Sequence, residues 1–158
     1  MNYDLIKILH ALGAVGATGS LLLAPWMSYK LRDAKSTNKT LLLKGLEFTD
    51  RYYNIAGWIV MLSGIVMFYL QDWHRIFQTW FVLSVALFII DSIAEKIWRD
   101  PATEILTNID PVDELWFQES RRLHKAVLAQ MICTALIFVT MLLHSQLSLN
   151  LLEIQLFL

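Results

Sequence analysis

Four apolar windows, each near the ~20 residues that one bilayer crossing takes, set what this chain can fold into. They are Leu5–Met27, Tyr52–Leu70, Ile76–Trp98 and Leu123–His144. The chain has 158 residues, 56% of them hydrophobic and 17% charged. A soluble domain of that size does not need so much apolar surface. The expected fold is therefore all-α, a four-transmembrane-helix up-down bundle. Residues 1–145 form the membrane domain and residues 146–158 an apolar tail. The tail is too short to span, and either lies on the membrane surface or docks on a partner. The first window is too long for an ordinary signal sequence, Asp4 weakens the charged leader, and no clear small-residue cleavage site follows. It reads as a retained first helix.

Orientation follows from lysine and arginine. Lys30, Arg32, Lys35, Lys39, Lys44 and Arg51 lie in or beside the first loop, and Lys96, Arg99, Arg121, Arg122 and Lys125 in or beside the third. The other side has Lys7 and Arg75. Both long loops are expected in the cytoplasm, with the N-terminus and the C-terminus outside. A bacterial inner membrane, crossed several times, is the expected location. The net charge of -1 argues against nucleic acid, which needs a basic face. The partners expected are the lipid bilayer and other membrane subunits or further copies of the chain.

The first window carries a face of small residues. His10, Gly13, Ala17, Ser20 and Ala24 recur at helical spacing, and small faces are where membrane helices approach closely. Gly57 and Gly64 mark a second such face in the second window. The short link Gln71–Arg75 predicts that helices two and three are antiparallel neighbours. Helical pattern begins near Thr40 in the first loop and runs into helix two. Asp100-Pro101 and Asp110-Pro111 both suit an N-cap followed by proline at the first helical position. A last helix running from Pro111 to His144 would be ~50 Å long and project into the cytoplasm. Tyr52, Tyr53, Trp58, Tyr69, Trp73, Trp80 and Trp98 stand near predicted span ends, as interfacial aromatic belts do.

Two groups of side chains can carry chemistry. On the outer side stand His10, Met67, Met141 and His144. His and Met are axial ligands of haem iron, and His, Met and Cys suit copper. Haem b held by His10 with Met141 or His144, or a metal held by His10, Met67 and His144, would suit electron transfer. The bland alternative is a hydrogen-bonded core histidine. On the cytoplasmic side, Asp91 costs ~2.5–3.5 kcal/mol to insert if central in the membrane. A buried ion pair with Arg51 or Arg122 would offset that, as a structural lock or as part of a proton relay. Cys133, the single cysteine, falls inside the fourth window and reads as packing. No phosphate loop, nucleotide-binding glycine motif or Cys-x-x-Cys is present.

Several of these motifs resemble a family. Lys7-Ile8-Leu9-His10 followed by Gly13-Ala14, Gly19 and Pro25 is similar to the first-helix signature of a superfamily of small four-helix membrane proteins. The nearest resemblance is to an uncharacterised family of predicted integral membrane proteins, a domain of unknown function. Ser63-Gly64, Trp80 with Leu83-Ser84, and Arg122-Leu123 match its second, third and fourth helices, so the likeness runs from about Tyr3 to His144. By the same first-helix pattern the chain distantly resembles the copper-resistance D proteins and the bacterial membrane protoporphyrinogen oxidase. That resemblance implies haem b on the first-helix histidine, here His10. It also implies a functional lysine in helix three, where Ser84 stands instead. The departure argues against the oxidase activity and leaves haem binding open. A membrane protein binding haem b or a metal near its outer face is one expectation. A cofactor-free accessory subunit of a larger membrane complex is the other.

Overall fold

The structure, a computed structural model, describes residues 3–32, 36–71, 73 and 76–143. It consists of α1 (Tyr3–Arg32), α2 (Ser36–Leu70), α3 (Thr79–Ala94), a π-helical turn (Glu95–Arg99), α4 (Asp100–Asn108) and α5 (Glu114–Leu142). Three of these, α1, α2 from Asn38 and α5, are long and apolar enough to cross a membrane. Helices suit that setting because each satisfies its own backbone hydrogen bonds. Large apolar side chains point away from the protein along them; Leu22 is 75% exposed and Val15 64%. In water such surface would be a liability, and against lipid it is at home. The chain has the architecture of a membrane protein.

α1 packs on α2 and on α5, and α5 packs on α3. The small face works as expected: Gly13, Ala17, Ser20 and Ala24 are buried. A Cβ at Gly13 would come within 3.0 Å of both Ile59 and Val60 of α2. Ala17 and Leu21 pack with Tyr53 and Ala56. The expectation for helices two and three needs correction. Their short link does not make them close-packed neighbours; α2 leans on α1 and α3 on α5. Side chains close the space between them. Near the α2–α3 link Phe68 meets Phe81 edge-on with ring centres 4.4 Å apart.

Helix ends also differ from the sequence reading. The first loop is nearly all helix, since α2 starts at Ser36 rather than Thr40. Asp100 does not cap a new helix. Its carboxylate takes the Lys96 ammonium at 2.6 Å, and the chain runs helically from α3 through the π turn into α4. Pro101 has no N–H to give the Ile97 carbonyl; Arg122 donates to that carbonyl instead, at 3.1 Å. At the second Asp-Pro pair, helix begins at Glu114, after an N-cap at Asp113 rather than at Asp110. Asp113 Oδ2 instead accepts the Asp110 N–H, fastening the turn. Helix five ends at Leu142, two residues short of expectation. The apolar tail 146–158 lies outside the described residues.

The largest buried cluster sits at the lysine- and arginine-rich end. Ala24 and Leu31 of α1, Leu43 and Leu46 of α2, Ala102 and Leu106 of α4, and Trp116, Leu123 and Val127 of α5 pack together. Lys39 joins α2 to the end of α4 by donating to the carbonyls of Thr107 and Ile109, which a helix C-terminus leaves open. Its ammonium also lies over the Trp116 ring, 5.4 Å from the centre. A helical cap thus encloses this end of the bundle.

Candidate functional site: a buried polar centre

The outer candidates come first. His10 is half-buried, with Nδ1 3.0 Å from the Val60 carbonyl and 3.0 Å from Ser63 Oγ. A carbonyl only accepts, so Nδ1 carries the proton. Ser63 in turn donates to the Val60 carbonyl at 3.0 Å. Gly64 gives the imidazole its seat: a Cβ there would lie 3.5 Å from His10 Cε1. The Ser63-Gly64 pair is therefore the histidine's partner across the helix interface.

This geometry does not fit a haem between α1 and α2. The small face that would admit a porphyrin plane is filled by α2 itself, as the approach at Gly13 shows. Met67 lies one helical turn past Ser63 and Gly64, ~5 Å along the axis from the His10 seat. Met141 is half-buried near the end of α5. His144 lies outside the described residues. Among the described residues no group of three or more His, Cys, Asp or Glu is placed to hold a metal ion.

The other half of the bundle holds a polar centre shared by α2, α3, the π turn and α5. Asp91 is 2% exposed. Its Oδ2 accepts the Tyr53 O–H at 2.9 Å, and Tyr53 Oη lies 3.0 Å from Thr134 Oγ1. The Gln130 amide faces the same carboxyl. Gln130 Oε1 accepts from Arg99 Nη1 at 2.6 Å, and the same nitrogen is 2.7 Å from Asp50 Oδ1. The Asp50 contact is close but not aligned as a hydrogen bond, so it acts through charge. Glu95 stands beside Asn54, Asp50 and Arg99. Asp91 Oδ1 and Gln130 Nε2 are buried without a hydrogen-bond partner among the described residues.

The π turn explains how Arg99 joins this set. Eight residues of regular helix would put Arg99 roughly 80° round from Asp91. An i→i+5 turn inserts one extra residue and brings the side chain back toward the Asp91 face. Such insertions recur at functional sites. The expected partners of Asp91 sit elsewhere. Arg51 pairs with Glu47 at 2.7 Å, both exposed. Arg122 lies 3.5 Å from Glu119 and serves the Ile97 carbonyl. Both follow their own helical neighbours, three or four residues away, as exposed charges do.

Tyr53, placed by sequence in the interfacial belt, is a member of the centre. Its spacing of three from Asp50 was the available signal, since it puts both on one face of α2. Arg99 had none, because a π turn leaves no mark in hydrophobic periodicity. Cys133 is half-buried on α5, as packing would have it. His124 is engaged with α1, its Nδ1 2.9 Å from Ser28 Oγ.

In comparisons with known proteins, no family model, no curated protein and no solved structure matches this chain. The likeness of its first helix to four-helix haem and copper membrane proteins rests on the quoted motifs alone.

Proposed function

We propose that this chain is an integral membrane protein of four crossings that works without a haem, as an accessory subunit presenting a helical cap on the cytoplasmic side. The fourth crossing is α3 with its π turn. Residues 79–99 at ~1.5 Å each reach ~30 Å, the thickness of the hydrocarbon core. The distribution of lysine and arginine supports an orientation with both cap-forming loops inside and both termini outside.

The observation that carries this reading is the cap. α2, at 35 residues, is ~52 Å long, some 20 Å more than a bilayer core needs. Its excess packs with α4 and the first turns of α5 around the best-buried residues of the fold. A lipid anchor alone needs no such structure. Outside the four apolar windows the chain also exposes large apolar side chains: Val112 is 94% exposed, with Leu115 and Phe117 near it in sequence, and Leu41 on α2 is 74% exposed. Exposed apolar surface outside a membrane is characteristic of a protein interface.

Purification in mild detergent tests both halves. The expected protein is colourless in a reduced-minus-oxidised spectrum and elutes as an assembly larger than a single chain. Val112→Asp together with Phe117→Asp is expected to release the single chain with its helix content intact. A b-type haem spectrum that His10→Ala removes would replace this reading with the redox one. A single colourless chain before and after substitution would leave no place for a partner.

A further inference from the structure

The polar centre has more carboxylates than it can neutralise. Asp50, Asp91 and Glu95 face the guanidinium of Arg99; Lys96, the other cation near Asp50 and Glu95, is exposed and bound to Asp100. Arg99 itself is spent on Asp50 and on the Gln130 carbonyl oxygen. Asp91 is the most buried of the three carboxyls, and its Oδ1 has no partner among the described residues. An unpaired buried charge is costly, and a carboxyl avoids it by holding a proton. The groups facing Asp91 are Tyr53 from α2, Arg99 from the π turn, and Gln130 and Cys133 from α5; Thr134 stands behind Tyr53, and Asp50 and Glu95 share the Arg99 guanidinium. α1 brings Ala17 and Leu21 against Tyr53.

We propose that Asp91 is a proton-exchange site within the membrane, coupled to a two-hydroxyl chain that reverses direction with its charge. In the ionised form Thr134 donates to Tyr53, and Tyr53 donates to Asp91 Oδ2. In the acid form the added proton sits on Oδ2, which donates to Tyr53 Oη. Tyr53 then donates to Thr134 Oγ1, and the Thr134 hydroxyl turns to the carbonyl one turn back on α5. Only a proton is added or lost; no heavy-atom bond changes. The distances of 2.9 and 3.0 Å serve both directions, since a hydroxyl can donate or accept.

The geometry also gives the site one side of access. Arg99, Asp50 and Glu95 lead from Asp91 toward the cap. Toward the outer face the next polar pair is Ser84 with Thr140, 2.8 Å apart. On α3 and α5 the residues between, Val85–Ile90 and Ala135–Val139, are all apolar. Protons therefore enter and leave from the cytoplasmic side. A metal cation is disfavoured by the Arg99 guanidinium in the same cluster.

This inference does not depend on the partner proposed above. Infrared difference spectroscopy of the full chain in lipid, titrated between about pH 4 and about pH 10 to bracket carboxyl titration, reads the carboxylic acid C=O stretch directly. A titrating band is expected that Asp91→Asn abolishes and Tyr53→Phe shifts, while Arg51→Ala leaves it in place. If Asp91→Asn fails to fold, the Tyr53→Phe shift decides alone. Persistence of the band in Asp91→Asn, or no shift in Tyr53→Phe, overturns the proposal. Loss of the acid band on adding sodium at fixed pH would overturn it in favour of a cation site.

Discussion

Arg99→Ala is expected to destabilise the protein by about 3 kcal/mol, the low end for removing one member of a buried pair. The low end applies because the Asp50 side chain keeps 26% exposure while that of Arg99 keeps 7%. The loss has two sources. Asp50 and Glu95 are left facing each other with only the exposed, Asp100-paired Lys96 nearby, and the Gln130 carbonyl oxygen loses its donor. The effect is large because this guanidinium is part of what joins α2 to α3, whose backbones stay apart. Arg51→Ala is the control. That side chain pairs with Glu47 on the surface, where an ion pair contributes roughly 0–1 kcal/mol. Reversible unfolding of the purified protein in mixed micelles measures both. Equal effects for the two arginines would mean that the polar centre does not close the bundle.

Gly13→Val is expected to cost about 2 kcal/mol, within the range for forcing extra carbons into a packed interface. The first added carbon already meets Ile59 and Val60 at 3.0 Å and the Val60 backbone nitrogen at 3.3 Å. The branched methyls have nowhere to go unless α1 moves off α2, and that movement would also stretch the His10 bonds to Val60 and Ser63 one turn away. Gly19 lies in the same helix, yet a Cβ there meets nothing within 4 Å. Gly19→Ala should be neutral or slightly stabilising, since alanine is the better helix former. Unfolding in micelles distinguishes the two. A harmless Gly13→Val would show that the helices are not in close contact at that level.

The parts of this fold that were legible in the sequence are those that periodicity encodes. Small residues at helical spacing, Gly13, Ala17, Ser20 and Ala24, are the buried stripe of α1. Each apolar window overlaps one helix, though Tyr52–Leu70 covers only the second half of the 35-residue α2. Asp91 stood out because a carboxylate among apolar residues needs a reason, and it proves to be at the heart of the buried centre. Its partners were not legible. Arg51 and Arg122 are nearer the expected level by simple helix counting, but Arg99 reaches the core only because the π turn resets its phase. The Asp-Pro pairs misled for a related reason. Asp100 has a lysine four residues before it, and that ion pair competes with capping. At His10 the sequence left both a ligand and a core histidine open. Its neighbours Ser63 and Gly64 lie some fifty residues away, and only a tertiary arrangement could bring them to its ring.

The claim on which the rest stands is that α3 with its π turn crosses the membrane, so that the polar centre is buried within the bilayer protein and the cap lies inside. Single-cysteine labelling tests it most directly, in a Cys133→Ala background with a maleimide that does not cross membranes. Trp73→Cys marks the link before α3, and Asn108→Cys the end of α4. Trp73→Cys is expected to label in intact spheroplasts, and Asn108→Cys only after the membrane is permeabilised. Labelling of both positions from the same side would contradict the four-crossing bundle. It would leave three crossings, with α3 lying outside the hydrocarbon core.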